Sequence, residues 1–173
     1  MGWTPPKLWK AGEKLVAADL NKYLRDNLNA VDDHETWTTS WTPTLTGSVS
    51  NPDLGSGSAT TGRWIQVGNL LIGTVRWQWG TGGTAGSGDY TVDIPTGTID
   101  TSLLAASANM PLGPATFRAA GTVYIGYIAT GTNTVLQWRF DSRTTNGRVG
   151  SAAPGAFGTS ADYITSTFQV RLA

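Results

Sequence analysis

Leu70-Leu71-Ile72-Gly73-Thr74-Val75-Arg76-Trp77-Gln78-Trp79 alternates with a period of two, and the two tryptophans fall on one face of the strand this predicts. That face reads either as core or as an interface between copies of the chain. Outward from it, Thr60–Val67, Tyr90–Ile94, Leu103–Met110, Phe117–Ala129, Thr134–Asp141 and Ile164–Leu172 repeat the alternation. Trp37–Leu45 reads as an edge strand, because Pro43 has no N–H for a central ladder. Turns rich in Gly, Pro, Asn and Ser separate these runs, and no crossover helix lies between them. The fold class is therefore mainly β: an antiparallel β-sandwich or jelly-roll-like domain preceded by a short N-terminal α-helix. Thr81–Gly88 reads as a flexible glycine-rich loop and Thr144–Ser160 as a loosely structured stretch.

Charge divides the chain in two. Residues 1–35 carry eleven of the 24 charged side chains, including all four lysines (Lys7, Lys10, Lys14, Lys22) and both glutamates (Glu13, Glu35). Residues 36–173 carry only Arg and Asp. The expected organisation is an attachment peptide and helix over 1–35 and a β-rich displayed domain over 36–173. From Leu15 to about Asp33, Ala17, Leu20, Leu24, Asn27 and Val31 recur at spacings of three and four, with Val16 and Leu28 widening the apolar face. A helix this short is marginal alone, so its stripe needs covering. The cover is either the chain's own β domain, a second copy, or a larger particle; Asn27 on the stripe suits a device that fixes register. Upstream, Trp3 and Trp9 flank an extended, proline-stiffened peptide that fits anchoring in a groove.

With 173 residues the chain can bury a core without disulfides, and it has no Cys. Net charge is zero, and no basic stripe for nucleic acid or for an anionic membrane is visible along the sequence. A neutral surface rich in Thr, Ser, Gly and Trp suits neutral partners such as glycans or other proteins. The N-terminus lacks a long apolar run, which argues against a secretory signal and against membrane insertion. Pro6 occupies the position where N-myristoylation wants Ser or Thr.

Catalytic chemistry finds little purchase. His34 is the sole histidine and sits in Asp32-Asp33-His34-Glu35, which lacks the spacing of recognised metal sites. Asp53, Asp89, Asp93, Asp100, Asp141 and Asp162 stand mostly beside Gly, Asn or Ser, where Asp stabilises turns. Gly82–Gly88 has no Lys-Ser/Thr and no helix after it, so it is not a phosphate cradle. No catalytic residue, metal ligand or cofactor is assigned. Binding is the better reading. Leu136, Trp138 and Phe140 form one face of a strand, read as core, and Gln137 and Arg139 the other, read as exposed. Tyr124 shares parity with Ile128, and Tyr127 with Val123 and Ile125, which leaves open which tyrosine faces solvent. Asp141, Arg143, Asn146 and Arg148 are the candidate polar residues of a sugar site.

Two stretches resemble a known family. Gly12-Glu13-Lys14-Leu15-Val16-Ala17-Ala18-Asp19-Leu20-Asn21, followed by Leu24-Arg25-Asp26-Asn27-Leu28-Asn29, resembles a segment near the start of tail-fibre and minor tail proteins from phages of actinobacteria and related hosts. In that pattern a Thr usually precedes the paired alanines and caps the helix; here Val16 takes its place. Trp41-Thr42-Pro43-Thr44-Leu45, Asn51-Pro52-Asp53-Leu54-Gly55-Ser56-Gly57, Gly62–Gly68, Gly88–Pro95 and Asp162–Phe168 are similar, in that order, to the β domains ending such fibres. The resemblance covers about two thirds of the chain. It implies a virion protein, made in the host cytoplasm, homotrimeric, carried on the tail or alternatively on the head surface. The expected partners are itself, another virion protein through the N-terminal residues read above (Trp3, Trp9, Ala17, Leu20, Leu24, Asn27 and Val31), and, from the composition, a host-surface glycan. The competing expectations are a head fibre or capsid decoration protein, a cellular carbohydrate-binding module, and, last, a depolymerase.

Overall fold

The computed structural model describes residues 7–8, 10–14, 16–25, 27–28, 41–103, 111–142, 145–152 and 154–173, with the backbone alone at 103, 141, 142, 145 and 146. The chain divides into two compact units, Met1–Trp37 and Thr38–Ala173.

The larger unit is antiparallel β. Its described strands are β1 (Thr46–Gly47), β2 (Ala59–Val67), β3 (Leu70–Gln78), β4 (Tyr90–Asp93), β5 (Pro111–Ala119), β6 (Thr122–Thr130), β7 (Val135–Ser142), β8 (Thr145–Arg148) and β9 (Tyr163–Arg171). They form one sheet in the order β1-β4-β7-β6-β5-β9-β3-β2, with β8 beside the end of β7. Laid flat, β3 and β7 would be separated by four strand spacings, about 19 Å. Yet Trp77 on β3 meets Trp138 on β7 with ring centroids 5.3 Å apart. The sheet is therefore curled on itself into a sandwich-like form. Alternation explains the core: Leu71, Val75 and Trp77 of β3, Ile164, Phe168 and Val170 of β9, and Ala115, Phe117 and Ala119 of β5 are all buried. Trp77 and Trp79 are thus core residues of this unit.

Two-residue turns set the registers. At the β2–β3 hairpin, Gly68 takes φ +58° and Val67 pairs with Leu70. The run expected as one strand, Phe117–Ala129, is two strands: Ala119 pairs with Thr122 across Ala120 (φ +49°) and Gly121 (φ +82°). Both turn residues having positive φ marks a type I′ turn. The alternation runs straight through it because only one of the pair is glycine.

Other expectations are corrected by how the backbone is used. Over residues 41–45 there is no strand, and pairing starts only at β1. This segment lies against the inside of the sheet instead. Pro43 O accepts a hydrogen bond from Trp77 Nε1 (3.0 Å), Trp41 packs edge-on to Phe168, and Leu45 is buried. A Cβ on Gly62 would stand 2.6 Å from the Pro43 ring, so β2 needs glycine there to admit the segment. The stretch from Thr144 contains β8, paired to β7 from Ser142↔Thr145 to Arg139↔Arg148. Gln137 and Arg139 are buried rather than exposed. β7 is an interior strand with neighbours on both sides, and Gln137 turns its amide back onto Thr130 O (3.0 Å). Tyr124 packs on the core, while Val123 and Ile125 are exposed on the opposite face, which Tyr127 shares by alternation. The strand expected over Leu103–Met110 falls largely outside the described residues; Leu103 closes a 3₁₀ turn from Thr101.

In the smaller unit the helix opens at Ala17, not Leu15. α1 (Ala17–Leu20) runs into a wider π turn, Asn21–Arg25, with helical residues again at 27–28. The rest of the helix expected to reach Asp33 lies outside the described residues. Val16 at the N-cap makes no side-chain cap, as a side chain without a hydroxyl must. Asp19 instead accepts a hydrogen bond from Lys7 Nζ (2.8 Å), and Lys7 also pairs with Glu13 (2.5 Å). Lys10 N donates to Glu13 Oε2, so a turn around Gly12 (φ +79°) ties the peptide to the first helical turn.

Candidate functional site

One end of the β domain gathers its long loops. Gln78, the last residue of β3, lies opposite Tyr163, the first of β9, and Tyr163 opposite Arg118 near the end of β5. The loops 48–58 and 79–89 and residues 149–152 and 154–162 therefore emerge together. Loops 48–58 and 79–89 run antiparallel to each other through bridges Ser50↔Ser87, Asp53↔Thr84 and Ser56↔Thr81. Their glycines permit backbone contact, since a Cβ on Gly55 would lie 2.6 Å from Gly83 N. Thr81–Gly88 is thus a pinned loop rather than a flexible one. Beneath it, Trp79 stacks on Phe157 at 5.2 Å, and Tyr90 abuts both rings. Trp79 Nε1 donates to Thr84 O (3.3 Å) and Tyr90 Oη to Ala85 O (2.6 Å). Burial, and then the nearby Asp162 carboxylate, push the Tyr90 phenol well above its ordinary range. The phenol is a fixed donor at neutral pH.

Asp162 and Asp53 hold turns at this end of the domain, and Asp100 holds one at the far end of β9. Asp162 is buried and accepts from Thr159 N (2.9 Å) and Thr159 Oγ1 (2.6 Å). Asp53 accepts from Gly55 N, and Asp100 from both Ser102 N and its hydroxyl, with Arg171 beside it at 3.3 Å. The Ser102 hydrogen bonds hold the Asp100 carboxyl below the usual carboxylate range.

The four candidate sugar-binding residues are partly assembled. Asp141 and Asn146 are backbone partners across the β7–β8 hairpin. Arg148 reaches Asp89 Oδ2 at 2.9 Å, and Asp89 N donates to Ser48 Oγ (2.9 Å). Arg143, and the side chains of Asp141 and Asn146, lie outside the described residues. The sequence reading missed Asp89 as the partner of Arg148, because 59 residues separate them.

A second feature lies on the outer face of the sheet. Pairing of β5 with β9 runs only from Arg118↔Tyr163 to Ala115↔Ser166. Pro114, the next residue, has no N–H to continue it. Where the ladder stops there is a depression of about 240 Å³ bordered by Thr74, Pro114, Thr116, Thr165 and Thr167. No residue of it was among the sequence candidates.

Of the residues expected to serve attachment, Trp3, Trp9 and Val31 lie outside the described residues. Ala17 is exposed, and Leu20, Leu24 and Leu28 are 41%, 57% and 61% exposed. Asn27 does not share their surface: it is buried, with Nδ2 donating to Tyr23 O (3.2 Å). The π turn widens the helix between Leu20 and Asn27, so a strict spacing of three and four no longer keeps them on one stripe. Compared with protein-family models, curated proteins and solved structures, the chain matches none.

Proposed function

We propose that the chain is a structural fibre protein of a bacteriophage virion, tail-associated, whose β domain attaches to glycan on the host surface. The observation that carries this is the contrast between its two units. The β domain closes its own core around Trp77, Trp138 and Phe168 and holds its long loops on an aromatic floor. The helical segment leaves Leu20, Leu24 and Leu28 at the surface, which asks for a partner. A self-sufficient displayed head on a segment needing cover is the division of labour of a fibre. The resemblance of Gly12–Asn29 to the attachment segments of tail-fibre proteins supports the same reading. Self-association, with the homotrimer as the expected state, and docking on another virion protein both draw on that segment.

The test is cell binding by the fluorescently labelled full chain. Susceptible cells, receptor-defective cells of the same host and an unrelated strain are compared. Binding confined to susceptible cells is the expected outcome. No binding to any of them would replace host attachment with the role of a head fibre or decoration protein.

A further inference from the structure

We infer, on the reading of the chain as a glycan-attaching fibre, that the outer face of β2, β3, β9 and β5 is the binding surface and that it takes an acidic glycan, one whose chain carries carboxylate or phosphate groups. The zero net charge of the sequence hides a segregation of charge that only the fold makes visible. Gly62, Val75, Phe117 and Ala119 point inward and are buried, so alternation sends Arg63, Arg76 and Arg118 to the opposite face. β2, β3, β5, β6 and β9 contain no Asp or Glu at any position. Of the other exposed arginines, Arg148 on the β8 hairpin is matched by Asp89, and Arg171, at the far end of β9 on the same outer face, is matched by Asp100. Among the described residues, Arg63, Arg76 and Arg118 therefore share one end of this face with no carboxylate paired to them, Asp100 standing beside Arg171 at the other end.

Register lays them out as a track. Arg63 lies opposite Thr74, and Arg76 opposite both Thr61 and Thr165. Arg118 lies opposite Tyr163. Arg63 and Arg76 are diagonal neighbours, roughly 7–8 Å apart at the backbone. Arg118 stands two strands further, on the order of 10 Å away across the sheet. The middle of the track is pre-set: Arg76 Nη2 donates to Gln78 Oε1 (2.8 Å), and its guanidinium lies 5.9 Å from the Tyr163 ring. Beside the track, bordered by Thr74 (opposite Arg63) and by Thr165 (opposite Arg76), lies the depression of about 240 Å³. That is below the roughly 300 Å³ of ordinary small-molecule pockets, and suits one ring of a polymer. Threonine hydroxyls both donate and accept, as a polyol requires. The guanidinium forks match carboxylate and phosphate oxygens. A neutral glycan would give three arginines nothing to pair with.

The experiment measures retention of the full chain on immobilised polygalacturonate, poly(glycerol phosphate) and neutral dextran. Retention on one acidic polymer and not on dextran is expected, and the polymer that retains it identifies the acid group. R63Q/R76Q/R118Q should weaken that affinity about tenfold or more, since charge-assisted hydrogen bonds are lost. T61D, which sets a carboxylate opposite Arg76 without removing an arginine, should weaken it in the same direction. R148Q, which removes a charge on the β8 hairpin outside this face, should leave it unchanged. All these positions are at the surface, and an unaltered unfolding midpoint confirms that each variant is folded. Unchanged retention of the triple variant, equal retention on dextran, no retention on any polymer, or competition by unrelated duplex DNA as strong as by the acidic polymer would each overturn the inference. If susceptible cells still bind the triple variant, this face is wrong and the host-attachment reading stands; if they do not bind the native chain, the host-attachment reading itself fails.

Discussion

Trp77 and Trp138 meet edge to face in the core of the β domain, their ring planes at 89° and their centroids 5.3 Å apart. The two strands that carry them are joined through β9, β5 and β6, so the contact exists only because the sheet curls. Trp138 Nε1 also donates to Ser166 Oγ (3.0 Å), which gives the buried indole N–H its partner on β9. A T-shaped pair of this kind adds roughly 0.5–1.5 kcal/mol to what burial supplies.

Trp138→Ala should therefore destabilise the domain by about 3–5 kcal/mol, through lost burial and the cavity left behind. Ser166→Ala should cost less, about 1–3 kcal/mol, by stranding the indole N–H in the core. Urea unfolding followed by far-UV circular dichroism separates the two. A cost below about 1 kcal/mol for Trp138→Ala would mean that the curled sheet does not depend on this contact.

Ala120 offers a gain instead. It is exposed, takes φ +49°, and shares a two-residue type I′ turn with Gly121. A side chain at positive φ costs about 1–2 kcal/mol, and Asn bears it best. Ala120→Asn should raise stability by about 0.5–1 kcal/mol. Ala120→Val should lower it, because branching at Cβ worsens the same clash. Unfolding midpoints that move the other way would refute the assigned turn geometry.

Much of this fold is legible in the sequence because alternation is a local signal. The inward set of β3 and the existence of β2, β4, β7 and β9 follow from period two alone. What was not legible depends on partners distant in the chain. Pro43 forbids a central strand, but nothing local says that residues 41–45 will cross the sheet face and accept a bond from Trp77. Gln137 and Arg139 alternate as exposed residues do, yet both are buried, Gln137 with its amide on Thr130 O of the neighbouring strand. At the candidate site, Arg148 was legible as a polar loop residue and its pairing with Asp89 was not. The outward arginines were present as parity in strands lacking Asp and Glu. Seeing them as one face required the order in which β2, β3, β9 and β5 lie side by side.

The glycine-rich loops make a graded prediction. Gly55 has φ +78° and no room, with Gly83 N and Thr81 O each 2.6 Å from where a Cβ would sit. Gly82 has φ +73° and open space around it. Gly82→Ala should cost about 1 kcal/mol, from backbone strain alone. Gly55→Ala carries the same strain and also forces two backbones apart, so its cost should be about 2–3 kcal/mol or more. Limited proteolysis should then find loop 79–89 cut faster in Gly55→Ala than in Gly82→Ala. Equal costs would show that the two loops are not locked together.

The clamp at Lys7 sets a pH window for the N-terminal segment. The Lys7 ammonium, and then Lys10 N–H, hold the Glu13 carboxyl below its ordinary range. A lowered folded-state pKa gives a contribution present above the unfolded value, about 4.3, and lost as pH falls through the folded one. Lys7 is shifted upward by Asp19 and then Glu13, so its contribution is present below about 10.4 and lost as pH rises through the folded value. The clamp should be fully made between about pH 5 and pH 10. In an NMR titration, Lys7→Gln should move the Glu13 carboxyl up toward the ordinary range, with the Lys10 N–H still holding part of the shift. An unmoved Glu13 would break the link between the turn and the helix.

Exposed leucines on the helical segment make the strongest claim about assembly. Leu20, Leu24 and Leu28 recur every four residues and stand in solvent, whereas each would contribute about 1.5–3 kcal/mol if fully buried. If copies of the segment cover one another, sedimentation equilibrium of the full chain should give three times its 18.3 kDa. The variant L20Q/L24Q/L28Q should fall to the single-chain mass while the β domain keeps its unfolding midpoint, because the residues that build that core are untouched. Its apparent affinity for susceptible cells should drop by about 100-fold or more, since three linked heads gain avidity that one lacks. A variant that keeps the native mass would mean that these leucines do not hold copies of the chain together, and would leave them to a different partner on the virion.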